Sequence, residues 1–141
     1  MTKAKFATFN VRNLVNAEQP YYGGKKYTKA AFESKIKWLA NQLVIMDADI
    51  VCLQEVFHEQ ALNILASAYN DLVDDKKKYT TVWHANNARS TPDNPSPGLG
   101  LLSRLRVIEK EIVQDISNDP IKIEPEFGFE FSQSMISRPI M

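Results

Sequence analysis

Asn10 and Glu55 are the two side chains whose types and positions could do chemistry. Asn10 lies near the end of a run rich in aromatic and β-branched residues, Lys5 to Val11. Glu55 follows a second apolar run, Ile50-Val51-Cys52-Leu53, and Gln54. If the two runs are parallel strands, both side chains stand at carboxyl ends of strands, where open α/β sheets place their ligands. A carboxylate at a buried strand tip is costly if unpaired, so it calls for a cation, a metal or hydrogen-bond donors. Mg²⁺ meets that need with little protein, because it takes one or two carboxylate oxygens and fills its other positions with water and substrate phosphate. Spacing alone still favours a plainer reading, in which Glu55 caps the following helix or pairs with a nearby lysine.

The elements that would position these residues follow from the apolar spacing. Between Thr28 and Met46, Phe32, Ile36, Leu39 and Leu43 recur at steps of four, three and four, which predicts a helix with one buried face. Asp47-Ala48-Asp49 breaks that pattern, and the unbroken apolar run after it predicts a strand buried on both faces, with Cys52 as a small core residue. Strand, helix and strand make a βαβ unit. A second helix is expected from Glu59 to Asn70, where Leu62, Leu65, Ala66 and Tyr69 share a face. An exposed turn is expected at Lys76-Lys77-Lys78. Strands are expected over 79–85, 99–103 and 107–113, and Phe127, Phe129 and Phe131 alternate as a half-buried strand would. The polar segments 13–24 and 86–98 read as loops, the latter with three prolines.

Composition narrows the class. The chain has 141 residues, one cysteine, and 17 basic against 17 acidic side chains. A lone cysteine excludes an internal disulfide and a thiolate metal cluster. No apolar run approaches the roughly 20 residues that span a bilayer. The N-terminal residues lack a signal peptide's apolar core, which predicts a cytoplasmic location. The neutrality conceals an asymmetry: eight basic and two acidic side chains fall within the first 40 residues, so the remainder is acidic. Arg12, Lys25, Lys26 and Arg89 are the candidate substrate contacts. Lys25 and Lys26 lie in Tyr21-Tyr22-Gly23-Gly24-Lys25-Lys26-Tyr27, where aromatics interleave with lysines. That arrangement suits base stacking and phosphate neutralisation, and equally a solvated loop anchored by its tyrosines. His58 and His84 lack an acidic partner pattern and read as structural.

Several segments together resemble one family. Thr8-Phe9-Asn10-Val11-Arg12-Asn13-Leu14, then Lys35-Ile36-Lys37 with Leu39, then Asp47-Ala48-Asp49-Ile50-Val51-Cys52-Leu53-Gln54-Glu55-Val56 is similar to the opening of the endonuclease/exonuclease/phosphatase superfamily, the DNase I-like fold. Gly98-Leu99-Gly100-Leu101-Leu102-Ser103-Arg104 and Ser137-Arg138-Pro139 continue the likeness more weakly. The resemblance implies an α/β fold, the N-terminal half of a four-layered α/β sandwich, with a mixed sheet and two flanking helices. It also implies a metal-dependent phosphoesterase, a nuclease or phosphodiesterase, that uses Mg²⁺ or Mn²⁺. Glu55 would be the metal ligand, and Asn10 would hold the metal's water shell and the scissile phosphate while an activated water attacks phosphorus in line. An asparagine suits that place because its amide donates to an anionic oxygen without adding charge. The substrate would be a phosphoester, with nucleic acid among the candidates.

The family's Gly-Asp-x-Asn motif, its terminal Asp-His pair and its central histidine have no counterpart in the sequence. The expectation is therefore a partial domain over 1–141, incomplete for catalysis. Its open sheet face would be covered by self-association or by the missing half. The rival expectation is an inactive homologue that serves as a self-associating or binding module.

Overall fold

The computed structural model describes residues 3–110. They form an α/β unit in the order β1 (Phe6–Leu14), α1 (Lys29–Met46), β2 (Ile50–Val56), α2 (Glu59–Asn70), β3 (Thr81–Ala85) and β4 (Gly98–Ser103). A short 3-10 turn at Asp75–Lys77 follows α2. The four strands make one mixed sheet in the order β1-β2-β4-β3. β1 and β2 are parallel, and β4 runs antiparallel to both β2 and β3.

Local chemistry accounts for the helix limits. The Thr28 hydroxyl accepts a hydrogen bond from the Ala31 N–H at 3.2 Å and satisfies one of the donors that open α1. The helix ends at Asp47, which takes the left-handed conformation at φ +44° and donates its N–H to the Leu43 carbonyl. Phe32, Ile36, Leu39 and Leu43 are buried as the spacing predicts, and so are Leu62, Leu65, Ala66 and Tyr69 of α2.

Both helices share one core with one face of the sheet, contributed by Val11, Val51, Leu53, Val56 and Leu102. Among the described residues nothing covers the other face, and Thr8, Asn10, Cys52 and Leu99 are exposed. This corrects two expectations. Among the described residues β2 is covered on one face only, and Cys52 is exposed rather than in the core. An unbroken apolar run hides the two-residue period, and Cys52 falls on the outward half of it.

The strand expected over 107–113 does not begin in the described residues, where 107–110 are irregular. The rest of it, Phe127, Phe129 and Phe131, and Ser137-Arg138-Pro139 lie outside the described residues. β1 runs on to Leu14 instead of giving way to loop at Asn13. No helix among the described residues is long and apolar enough to cross a membrane.

Candidate active site at the carboxyl ends of β1 and β2

The two parallel strands, β1 and β2, lose their regular pairing at the same end. Asn10 pairs with Gln54 and the next pair is Leu14 with Val56, so three residues of β1 face one of β2. Across the other edge of β2, Gln54 pairs with Leu99 and Val56 with Gly98, which leaves Glu55 as an extra residue. The bulges are built from residues with positive φ: Arg12 at +49°, Asn13 at +63° and Glu55 at +62°. A bulge re-aims the side chain it carries. Here it brings the Glu55 carboxylate to Asn10.

Asn10 Nδ2 donates to Glu55 Oε1 at 2.9 Å, and the Asn13 N–H donates to Glu55 Oε2 at 3.1 Å. Asn10 Oδ1 in turn accepts from the Arg12 N–H at 2.8 Å. Glu55 is half-buried, and among the described residues its two oxygens are held by these neutral donors rather than by an ion pair. It does not cap α2. The residue at that position is His58, whose side chain makes no cap bond.

The chemistry of the donor set tests what could be held there. Each carboxylate oxygen accepts one hydrogen bond and keeps a lone pair, and Asn10 beside it is exposed. Those features fit a hard divalent cation that retains most of its water. Among the described residues, no group of three or more His, Cys, Asp or Glu side chains stands together as a protein cage for a metal.

Lys35 is a part of the site that spacing does not reveal. Its Nζ donates to the Arg12 carbonyl at 2.6 Å and to the Tyr27 hydroxyl at 3.3 Å, and it sits 5.1 Å from the Tyr27 ring centroid. Burial pushes its pKa down, while the negative charge of Glu55 works in the opposite direction. It is a positioning residue, since it pins the bulge that carries Arg12 and Asn13. One signal was available: Lys35 lies three residues after Phe32 and four before Leu39, beside an otherwise apolar stripe.

The other candidates are distributed more widely. The side chain of Arg12 is exposed on the bulge, and Lys25 and Lys26 are exposed in the loop between β1 and α1. Arg89 is exposed in the 86–97 segment, where its N–H donates to Asn87 Oδ1. No hydrogen bond or ion pair among the described residues joins Arg89 to Asn10 or Glu55. His58 Nδ1 accepts from the Asn16 N–H at 3.2 Å, and His84 Nε2 lies 3.1 Å from the Val56 carbonyl. Burial first, and His84 second, lower the pKa of His58. Both imidazoles are thus tied to backbone.

Arg104 lies elsewhere and serves the fold. It reaches Asp47, Asp49, the Tyr69 hydroxyl and the Lys77 carbonyl.

Comparison with known proteins gives one result. No curated protein and no solved structure matches the chain. The model of the endonuclease/exonuclease/phosphatase family matches residues 7–136, a span that contains all but the first residue of β1, all of β2, Asn10 and Glu55. The mixed four-stranded sheet with two helices is consistent with part of a DNase I-like fold. With the family model covering nearly the whole sequence, the chain belongs to the endonuclease/exonuclease/phosphatase family.

Proposed function

We propose that Glu55 and Asn10 form the metal-binding and phosphate-binding side of a phosphoester-hydrolysing centre. One observation carries this reading: strained bulges in two adjacent strands converge to hold a carboxylate against a side-chain amide and a backbone N–H. Strain of this kind persists where the surrounding structure enforces it, and it concentrates at functional sites.

Glu55 would hold the cation and Asn10 would steady its water shell, with Mg²⁺ or Mn²⁺ favoured by the hard carboxylate oxygens. When bound, the cation supplies positive charge against the phosphoryl oxygens. Asn10 presents an amide that can turn its N–H₂ to an anionic oxygen. Lys35 fixes the bulge and adds a positive charge behind it. Arg12 on the bulge, and Lys25 and Lys26 in the loop after β1, are exposed and would add positive charge for an anionic substrate.

A generic phosphodiester tests the proposal. A chain that carries this segment together with the family's Gly-Asp-x-Asn and Asp-His motifs should hydrolyse it with Mg²⁺ or Mn²⁺ and lose that activity in a chelator. Glu55→Gln keeps the size of the side chain and should lower turnover by about two orders of magnitude, with the circular dichroism spectrum unchanged. Turnover that survives chelation, or that Glu55→Gln leaves untouched, refutes the proposal.

A second reading is binding without hydrolysis. It is favoured by the two imidazoles of the described residues, both tied to backbone carbonyl or N–H groups rather than free to move a proton. It predicts that titration calorimetry detects Mn²⁺ binding that depends on Glu55 while turnover stays absent.

A further inference from the structure

The loop between β1 and α1 carries an aromatic group that packing does not use up. Two backbone bonds close the loop into a small hairpin: the Glu18 N–H donates to the Tyr27 carbonyl at 2.8 Å, and the Tyr21 N–H donates to the Lys25 carbonyl at 2.9 Å. Tyr21 and Tyr27 stack at 5.3 Å between centroids, and Tyr21 also meets the edge of Phe57 at 6.1 Å. Phe57 is buried immediately after β2, two residues beyond Glu55. These three rings anchor the loop.

Tyr22 is different. It meets Phe57 in a T-shaped contact at 5.3 Å between centroids and Tyr21 at 6.4 Å, yet remains 51% exposed. Its contact with Phe57 places it beside the segment that follows Glu55. The turn beyond it, Gly23-Gly24, has φ of +67° and +78° with open space around both residues, and it presents Lys25 and Lys26 to solvent.

We propose that Tyr22 is a stacking platform for the nucleobase next to the phosphate held at Asn10 and Glu55, with Lys25 and Lys26 on the neighbouring phosphates, so that the substrate is a single-stranded nucleic acid. The inference rests on the proposed phosphoester-hydrolysing centre for the place of that phosphate. A rigid aromatic face costs little entropy when a base lands on it, and stacking tolerates any base. A backbone following that base past the Gly23-Gly24 turn meets the two lysines as point charges. An inositol phosphate or a phospholipid headgroup has no π-face for Tyr22 to meet.

Fluorescence anisotropy with a short single-stranded DNA and an RNA, in excess chelator, separates binding from hydrolysis. Tyr22→Ala should weaken binding roughly tenfold and Tyr22→Trp should restore it. The same strand lacking its bases should bind wild type and Tyr22→Ala equally, which a merely structural role for Tyr22 would not produce. Lys25→Ala and Lys26→Ala should each reduce the slope of log affinity against log salt by about 0.7.

The inference is overturned if wild type does not bind the strand, or if Tyr22→Ala changes nothing or weakens both strands alike. It is also overturned if wild type prefers vesicles carrying phosphorylated inositol lipids. Binding that depends on Tyr22 in a chain without hydrolysis would remove the hydrolase reading and leave the platform standing. Hydrolysis without such binding would do the reverse.

Discussion

Arg12, Asn13 and Glu55 hold left-handed backbone, which costs a side-chain-bearing residue about 1–3 kcal/mol, least for asparagine. The strain is held in place by hydrogen bonds: Lys35 on the Arg12 carbonyl, Asn10 on the Arg12 N–H, and Glu55 on the Asn13 N–H. Glu55 and Asn13 cannot be replaced without disturbing the carboxylate's environment, but the Arg12 side chain is exposed and its backbone can be tested separately. Arg12→Val places a β-branched residue at φ +49° and should cost about 1–2 kcal/mol in urea unfolding. Arg12→Gly removes the steric conflict while adding chain entropy to the unfolded state, two effects of about 1 kcal/mol that oppose each other, so its stability should stay near wild type. A valine variant as stable as the glycine variant would show that the bulge is not strained at this residue.

At the scale of elements, the sequence is legible where side chains repeat and opaque where the backbone bends. The stripe of Phe32, Ile36, Leu39 and Leu43 marks α1 because a 3.6-residue period leaves a clear trace, and Leu62, Leu65, Ala66 and Tyr69 mark α2 in the same way. The coverage of β2 was not legible, because Ile50-Val51-Cys52-Leu53 is apolar at every position and carries no period to show that Cys52 points outward. The bulges at Arg12-Asn13 and Glu55 were not legible either, since arginine and glutamate are no markers of positive φ. The pairing of Asn10 with Glu55 is set by those bulges, so the sequence suggested the two residues while only the backbone brings their side chains together. The antiparallel insertion of β4 between β2 and β3 depends on close approach at glycine. A Cβ on Gly98 would run into the Ala85 carbonyl oxygen, a backbone atom that cannot swing away, and one on Gly100 would come within 3.1 Å of the Val56 side chain. Gly98→Ala should therefore spread β3 from β4 and lower stability by about 1–3 kcal/mol, measured by thermal or urea unfolding. An alanine at Gly98 that leaves the unfolding midpoint unchanged would place the β3–β4 contact elsewhere.

Across the whole of residues 3–110, the two ends of the sheet have opposite designs. The end with Asn10 and Glu55 is strained and keeps a carboxylate without an ion pair among the described residues; the other end is a closed charge network. Asp47, at the end of α1, takes Lys5 on one oxygen at 3.1 Å, and Lys77 at 3.1 Å and Arg104 at 3.0 Å on the other. Those three cations come from the chain before β1, the 3-10 turn after α2 and the residue after β4, so one carboxylate ties four separate parts of the fold together. Arg104 also lies over the Tyr79 ring and donates to the Tyr69 hydroxyl at 2.7 Å. Hydrogen bonds from Lys77, then Lys5, then Arg104 hold the Asp47 pKa well below the ordinary carboxylate range. A folded-state pKa below the unfolded value gives stability that is present above about pH 4, the ordinary aspartate value, and is lost as the pH falls toward the depressed one. Asp47→Asn removes the charge at every pH, so it should be less stable than wild type at pH 7, and the difference should close progressively as the pH is lowered below about 4. High salt should narrow the gap at neutral pH, because the network is partly open to solvent. Urea midpoints of the two proteins across that range decide the matter: a difference that stays constant on acidification would mean that Asp47 supports the fold by its shape at the end of α1 and not by its charge.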